Sequence, residues 1–257
     1  MRDRDIGGRH GGFIAEGEVV VRVLARSRLH STRSLLISER RVEQLADVLA
    51  SFGSDVAIYA AGQAVMDRIV GFHIHRGILA FGVRSPETTA DQLLSSVHGS
   101  AVVVVLFGVS NHDNIGGVFR NAAAFGASAV LLDAACCDPL YRKAIRVSVG
   151  AALITPYARL DADEDPLTLL ARHGFESLAL SPRGATTLAD LTPPHRAALL
   201  VGAEGRGLAE SILARAPTVM IPMDGGFDSL NLATASGIAL HHLRRTHTPR
   251  QSQAGAS

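Results

Sequence analysis

The chain has 257 residues, 47% of them hydrophobic, with 25 Lys+Arg against 24 Asp+Glu and a formal net charge of +1. That length suits two modest domains or one large one, near-neutral charge gives no bulk pull towards nucleic acid, and no apolar run approaches the roughly 20 residues of a membrane span. The two cysteines, Cys136 and Cys137, are adjacent, which suits neither a mutual disulfide nor a zinc spacing and reads as idle thiols in a reducing cytoplasm.

Residues 1–12 are charged and glycine-rich, without the apolar core of a signal peptide, so they read as a disordered lead on a cytoplasmic protein. Residues 13–84 carry a compact mixed pattern. The run 19–24 is apolar and β-branched, 35–37 is a short strand, and Ser38 opens a helix in which Val42, Leu45, Val48 and Leu49 recur at helical spacing. A strand at 56–59, a helix at 63–70 and a strand at 77–82 complete a small α/β domain. Residues 85–99, with Pro86, a threonine pair and a short helix, read as a linker. From 100 to 246, strands and helices alternate. Strands are expected at 101–107, 129–132, 153–156, 177–180, 197–201 and 219–222. Helices are expected at 115–125, 140–147, 166–173, 208–214 and 230–245. Strongly apolar strands alternating with helices predict a mostly parallel sheet covered on both faces. Residues 247–257 are a polar tail.

Three segments concentrate polar groups at strand-to-helix junctions. The first follows strand 101–107 and contains Asn114 and, six residues on, Arg120. Asn114 stands where a helix cap belongs. On one ideal helix the two side chains point to roughly opposite sides, so they share a site only if Asn114 is still in the loop; a cap plus an exposed arginine accounts for them equally well. The second is the turn Gly202-Ala203-Glu204-Gly205-Arg206-Gly207, which lacks the lysine and hydroxyl of a phosphate loop. Glu204 there fits a helix start, favoured by the dipole, and disfavours a phosphate ligand. The third runs from Ile221 through Met223 to Ser229, Leu230 and Asn231, where ordinary capping explains either polar residue alone.

Neither a dinucleotide-binding Gly-x-Gly-x-x-Gly nor a Gly-x-Ser-x-Gly elbow occurs at the expected place. The His73/His75 and His241/His242 pairs have no neighbouring carboxylate or thiol set, so no metal is expected. Lys143 is the only lysine; the arginine bias suits bidentate phosphate contacts, and a GC-rich genome would produce the same bias.

Taken together, Asn114-x₅-Arg120, the Gly202–Gly205 turn and Ile221-Pro222-Met223…Ser229-Leu230-Asn231 resemble, in order and spacing, the three motifs of the SpoU/TrmH family. These are RNA ribose 2′-O-methyltransferases of the SPOUT superfamily. The segment 141–150 and, in the N-terminal domain, Ala15-Glu16-Gly17 and 75–80 also look like family segments, so the resemblance covers almost the whole chain. It implies an N-terminal RNA-binding domain, a methyltransferase domain with a C-terminal trefoil knot, a homodimer, and bound S-adenosylmethionine. By position, Asn114, Arg120, Glu204, Ser229 and Asn231 match the family's functional polar residues. The cofactor would lie against Leu200, Gly202, Glu204, Gly205, Ile221, Met223, Ser229 and Leu230. Asn121, where many relatives have threonine, and Ala233-Thr234, in place of a serine-containing stretch, depart from the pattern and bear on substrate detail.

The implied reaction moves a methyl group from S-adenosylmethionine to a ribose 2′-hydroxyl of RNA. The family assigns the base role to the arginine, here Arg120. A guanidinium loses its proton only above about pH 12, so the alternative is that Arg120 grips a phosphate and positions the ribose. RNA contacts are expected from Arg22, Arg26, Arg28 and Arg33, in a stretch without acids, and from Arg142 and Arg146, one helical turn apart. The N-terminal domain favours rRNA over tRNA, with guanosine as one candidate base. A non-catalytic RNA-binding or ribosome-assembly protein is the alternative from another class.

Overall fold

The computed structural model describes residues 11–71, 76–224 and 229–244. The His73/His75 pair, residues 225–228 of the last loop and both chain ends lie outside the described residues. The first half contains β1 (Gly12–Glu16), α1 (Glu18–Ala25), β2 (His30–Ser38), α2 (Ala46–Ala50), β3 (Ala57–Ala61), α3 (Gln63–Val70), β4 (Ile78–Arg84), α4 (Ala90–Ser95) and β5 (Ala101–Phe107). Then follow α5 (His112–Phe125), β6 (Ala129–Leu132), α6 (Arg142–Val147), β7 (Tyr157–Arg159), α7 (Pro166–Arg172), β8 (Glu176–Leu180), β9 (Thr186–Thr187), β10 (Arg196–Gly202), α8 (Glu210–Leu213), β11 (Thr218–Met220) and α9 (Leu232–Arg244). No described helix is long and apolar enough to cross a membrane.

The chain divides into two compact units. One takes the described residues up to 87 together with 110–123 and 137–156; the other takes 88–109, 124–136 and the described residues from 157 on. The first unit is built on a four-stranded sheet of order β1-β4-β2-β3, with β2 and β3 parallel and the other pairs antiparallel. Met66 and Leu79 centre a small apolar cluster with Ile14, Leu36 and Val70. The β-branched run 19–24 lies in a helix, not in the strand its composition favours. Its Val20, Val21 and Leu24 form one buried stripe, and Glu18 pairs with Arg22 one turn on, so packing overrides propensity. The helix expected from Ser38 is broken into a single 3₁₀ turn, Glu39–Arg41, and the short α2; Ser38 makes no capping bond.

The second unit is a seven-stranded sheet of order β7-β6-β5-β10-β8-β11-β9, and every pairing is parallel. The central strands β5 and β10 are buried almost throughout, as unbroken apolar runs require. Helix α4 is held by a Thr89/Gln92 capping box, and its Leu93 and Leu94 enter the apolar core with Val105, Leu131, Leu170 and Leu200. The strand expected at 153–156 is displaced: Ala151–Leu153 is a 3₁₀ turn and the strand is β7. From β5 the chain moves outward through β6 to β7, then returns to build β8, β10 and β11 on the other side. The carboxyl ends of β5 and β10, paired at Phe107 and Gly202, are therefore a topological switch point, where open parallel sheets bind ligands. Helix α9 packs against both strands.

Candidate active site

Each unit holds its own group of candidate residues. In the second unit, β10 ends at Gly202 and the chain turns back at once: Gly207 N–H donates to Ala203 O at 2.9 Å. A Cβ on Gly202 would stand 2.1 Å from the Gly207 carbonyl carbon, so only glycine fits. Gly205 and Gly207 take positive φ, 80° and 66°, the left-handed conformation that glycine adopts without penalty. Glu204 and Gly205 are exposed at the tip, Gly202 is half-buried, and Leu200 is buried within β10, paired with Val105 on one side and Ala179 on the other. A Cβ on Gly108, at the exit of β5, would lie 3.6 Å from Ala203 Cβ; the two strand exits are neighbours.

The loop after β11 carries half-buried Ile221 and Met223, then exposed Ser229, Leu230 and Asn231. Asn231 caps α9: its Oδ1 accepts the N–H groups of Ala233 at 2.9 Å and Thr234 at 3.2 Å. Its Nδ2 donates to Glu204 Oε1 at 3.2 Å. The structure thus brings together two of the five residues singled out as catalytic candidates, one from each of two loops. Glu204 is not a cap; the helix after its turn begins at Glu210.

Sequence reasoning missed Asp133. Its carboxylate accepts Gly108 N–H at 2.9 Å, Ala135 N–H at 3.1 Å and Cys136 N–H at 2.9 Å, fixing the exit of β5 to the loop after β6. The only signal in the sequence is an aspartate directly after an apolar strand. Cys136 is buried, accepts from Val109 N–H and donates to Leu106 O, both at 3.3 Å. Burial, and then its bond to Asp133, push the thiol up to about 12, so it stays protonated and inert.

In the first unit, α5 begins three residues earlier than expected. Asn111, not Asn114, supplies the acceptor at the helix start, bonding Asp113 N–H at 2.9 Å. Asn114 is inside the helix and buried at 4% exposure, while Arg120 is exposed and makes no hydrogen bond or ion pair with any described residue. The two side chains thus diverge, as their spacing on one helix dictates. Helices α5 and α6 meet at Gly116, where a Cβ would fall 2.8 Å from both Ala144 O and Val147 Cβ. Arg142 lies 3.9 Å from the buried carboxylate of Glu16, whereas Arg146 is exposed.

The N-terminal arginines differ in the same way. Arg22 is bonded to Glu18 at 2.9 Å and to Asp47 at 2.5 Å, which raises its pKa further and commits its donors within the protein. Arg26, Arg28 and Arg33 are exposed, and Arg33 stands at the register shift of β2 opposite β4, where a bulge re-aims a side chain.

The chain matches known proteins along most of its length. The model of the SpoU rRNA Methylase family matches residues 101–241. An uncharacterized tRNA/rRNA methyltransferase of Mycobacterium tuberculosis is 42% identical over 238 residues, covering 91% of this chain and 81% of the relative. Among solved structures, an AdoMet-bound rRNA methyltransferase from Sinorhizobium meliloti is similar with a TM-score of 0.78 and 25% identity, covering 96% of this chain and 90% of that one. An RNA 2′-O ribose methyltransferase is similar with a TM-score of 0.76 and 25% identity, over 95% and 92% of the two chains.

Proposed function

The chain belongs to the SpoU rRNA Methylase family, and from that premise we propose that it transfers a methyl group from S-adenosylmethionine to a ribose 2′-hydroxyl of RNA, with rRNA the substrate before tRNA. The observation that carries the reading is the Glu204–Asn231 bond, which joins the turn after β10 to the start of α9 beside the switch point of the sheet. Two loops are held by one polar contact at the place where parallel sheets present their ligands.

The residues present fit S-adenosylmethionine. Glycine at 202 lets the backbone turn without a side chain in the way, the exposed carboxylate of Glu204 suits a cationic ligand better than a phosphate, and the exposed Leu230 offers an apolar surface for a base. Backbone at Leu200, Gly202, Gly205, Ile221 and Met223, with Ser229 and Leu230, would hold it. The bound sulfonium supplies an electrophilic methyl group. The protein's own task is then to present the hydroxyl. Arg120 takes that part in the proposal by gripping an RNA phosphate and orienting the ribose: a guanidinium stays protonated in proteins, and this one is exposed with no partner among the described residues. Arg26, Arg28, Arg33 and Arg146 would add phosphate contacts.

Preference for rRNA rests on the first unit, which lies largely outside the matched segment 101–241, and on the similarity over nearly the whole chain to a protein named as an rRNA methyltransferase. A homodimer and a trefoil knot within 100–246 belong to the same proposal, and light scattering of the purified protein tests the former. The central test is calorimetric titration with S-adenosylmethionine, followed by tritiated-methyl transfer to total rRNA and, separately, total tRNA. Saturable binding and label retained in alkali-resistant dinucleotides of rRNA are expected, because a 2′-O-methyl group blocks cleavage of the adjoining phosphodiester. Absence of cofactor binding would leave the non-catalytic RNA-binding reading.

A further inference from the structure

Of the groups that the proposed reaction leaves unused, one faces solvent and is held in place from several sides. Tyr141, exposed at 37%, stands at the start of α6, and its ring lies against that of His112, with centroids 4.1 Å apart and planes 35° apart. The loop that delivers it is fixed. Tyr141 N–H donates to Asp138 O at 3.2 Å, Asp138 Oδ1 accepts Leu140 N–H at 2.9 Å, and Arg84 grips the Asp138 carboxylate, with Nη1 at 3.1 Å from Oδ1. On the other side, Lys143 Nζ meets Asp113 Oδ2 at 2.5 Å, so α6 is tied to the first turn of α5, where His112 sits. The tyrosine hydroxyl has no partner among the described residues.

An aromatic ring backed by a second ring, fixed at its backbone and open to solvent, has little to gain from the hydrophobic core. On the same two helices, Arg146 lies five residues beyond Tyr141 and Arg120 eight residues beyond His112, both exposed and both without a partner among the described residues. Aromatic faces next to free cations are how proteins hold unpaired bases: the ring stacks on the base and the cations follow the backbone. We propose that Tyr141, supported from behind by His112, is a stacking platform for one unpaired nucleobase of the RNA. Its place decides which base. His112 and Arg120 are eight residues apart on one helix, about 12 Å along its axis. The stacked base therefore belongs to a nucleotide flanking the one whose ribose Arg120 orients, and Tyr141 sets sequence context and not the reacting nucleotide.

This inference rests on the RNA-methyltransferase reading, and its test separates the two. Fluorescence anisotropy is measured with two labelled single-stranded RNA 12-mers, oligoadenylate and an abasic chain of the same phosphate number, for the full-length protein and its Tyr141→Ala, Tyr141→Leu and Tyr141→Phe variants. Stacking is worth about 1–3 kcal/mol per base, so Tyr141→Ala should bind oligoadenylate roughly 5- to 150-fold more weakly. Tyr141→Leu, which keeps an apolar side chain in place, should show the same loss, and Tyr141→Phe should keep wild-type affinity. None of the three should change binding of the abasic chain. Wild-type affinity of Tyr141→Leu for oligoadenylate overturns the proposal, and so does an equal loss on both RNAs. Titration of the same proteins with S-adenosylmethionine reads the underlying function separately: if the wild type fails to bind it, the methyltransferase reading falls while the anisotropy result still decides the platform.

Discussion

Asn231 donates from Nδ2 to Glu204 Oε1 at 3.2 Å while its Oδ1 accepts the N–H groups of Ala233 and Thr234. One side chain thus caps α9 and ties that cap to the turn after β10. Two substitutions separate the roles. Asn231→Ala removes both and should cost about 1 kcal/mol for the cap, a fall in Tm of roughly 2–4 °C, together with weaker S-adenosylmethionine binding. Asn231→Asp keeps the capping acceptor and suits the helix dipole, but sets a carboxylate against Glu204. It should melt near the wild-type temperature and bind the cofactor as poorly as Asn231→Ala. Thermal melts and calorimetry check this; wild-type affinity in Asn231→Asp would make the bond to Glu204 idle.

Gly202→Ala should weaken cofactor binding far more than Gly205→Ala, although both lie in one turn. The added methyl at 202 meets the Gly207 carbonyl carbon at 2.1 Å, its oxygen at 2.3 Å and Leu208 N at 2.4 Å. All three are backbone atoms and cannot rotate away, so the turn must open; overpacking of this kind costs about 1–3 kcal/mol. At 205 no atom lies within 4 Å and the cost is the left-handed φ alone, about 1–2 kcal/mol. Gly202→Ala should lose cofactor binding by more than about tenfold, and Gly205→Ala should retain most of it. Titrations of the two folded variants side by side decide the point.

What was legible in the sequence follows a physical division. β5 and β10 announce themselves because a strand buried on both faces must be apolar throughout, and the glycines after them mark the turns. Glu204 and Asn231 stood out as polar residues at such turns, but nothing in their spacing says that they touch, since 27 residues separate them. Helix α1 was obscured because β-branched residues favour strands until a core claims one helical face. Asn114 drew the cap reading that belongs to Asn111, because side-chain caps are local choices among neighbouring polar residues. β9, two residues long, is too short for any periodicity. Asp133 gathers three backbone N–H groups, one of them from a strand exit 25 residues away, a contact that only the sheet order creates.

Acidification should destabilise the first unit through His30. Its ring packs edge-on to Phe13, Nδ1 accepts Ser85 N–H at 3.4 Å, and Nε2 is buried without a hydrogen-bond partner among the described residues. Burial, and then the charge of Arg84, lower its pKa to about 4, against about 6.5 in an unfolded chain. Between those values the unfolded chain binds a proton that the folded protein refuses, so stability falls as pH drops through this window. From pH 7 to pH 5 the full linkage is about 2 kcal/mol; with the residual solvent access of a half-buried ring, about 1 kcal/mol is expected. Urea midpoints at the two pH values measure it, and His30→Phe should remove most of the difference. An unchanged slope in that variant would assign the acid sensitivity elsewhere.

Arg120→Lys separates a phosphate grip from a proton acceptor. If Arg120 holds a phosphate through two parallel N–H bonds, lysine keeps the charge and loses the fork. A charge-assisted contact of that sort is worth about 1.5–3 kcal/mol, so kcat/KM should drop roughly 10- to 150-fold. The pH profile should keep its wild-type shape, because nothing that titrates has been introduced into the proton transfer. If the residue is instead the base, lysine can serve in its place, and turnover should climb steadily with pH towards the lysine pKa near 10.4. The exposed position of Arg120, without a partner among the described residues, favours the first outcome, since a free guanidinium is a ready phosphate ligand and a poor acceptor of protons. Methyl transfer to total rRNA across pH 6.5–9.5 distinguishes them: a lysine enzyme approaching wild-type rates at the alkaline end would refute the grip.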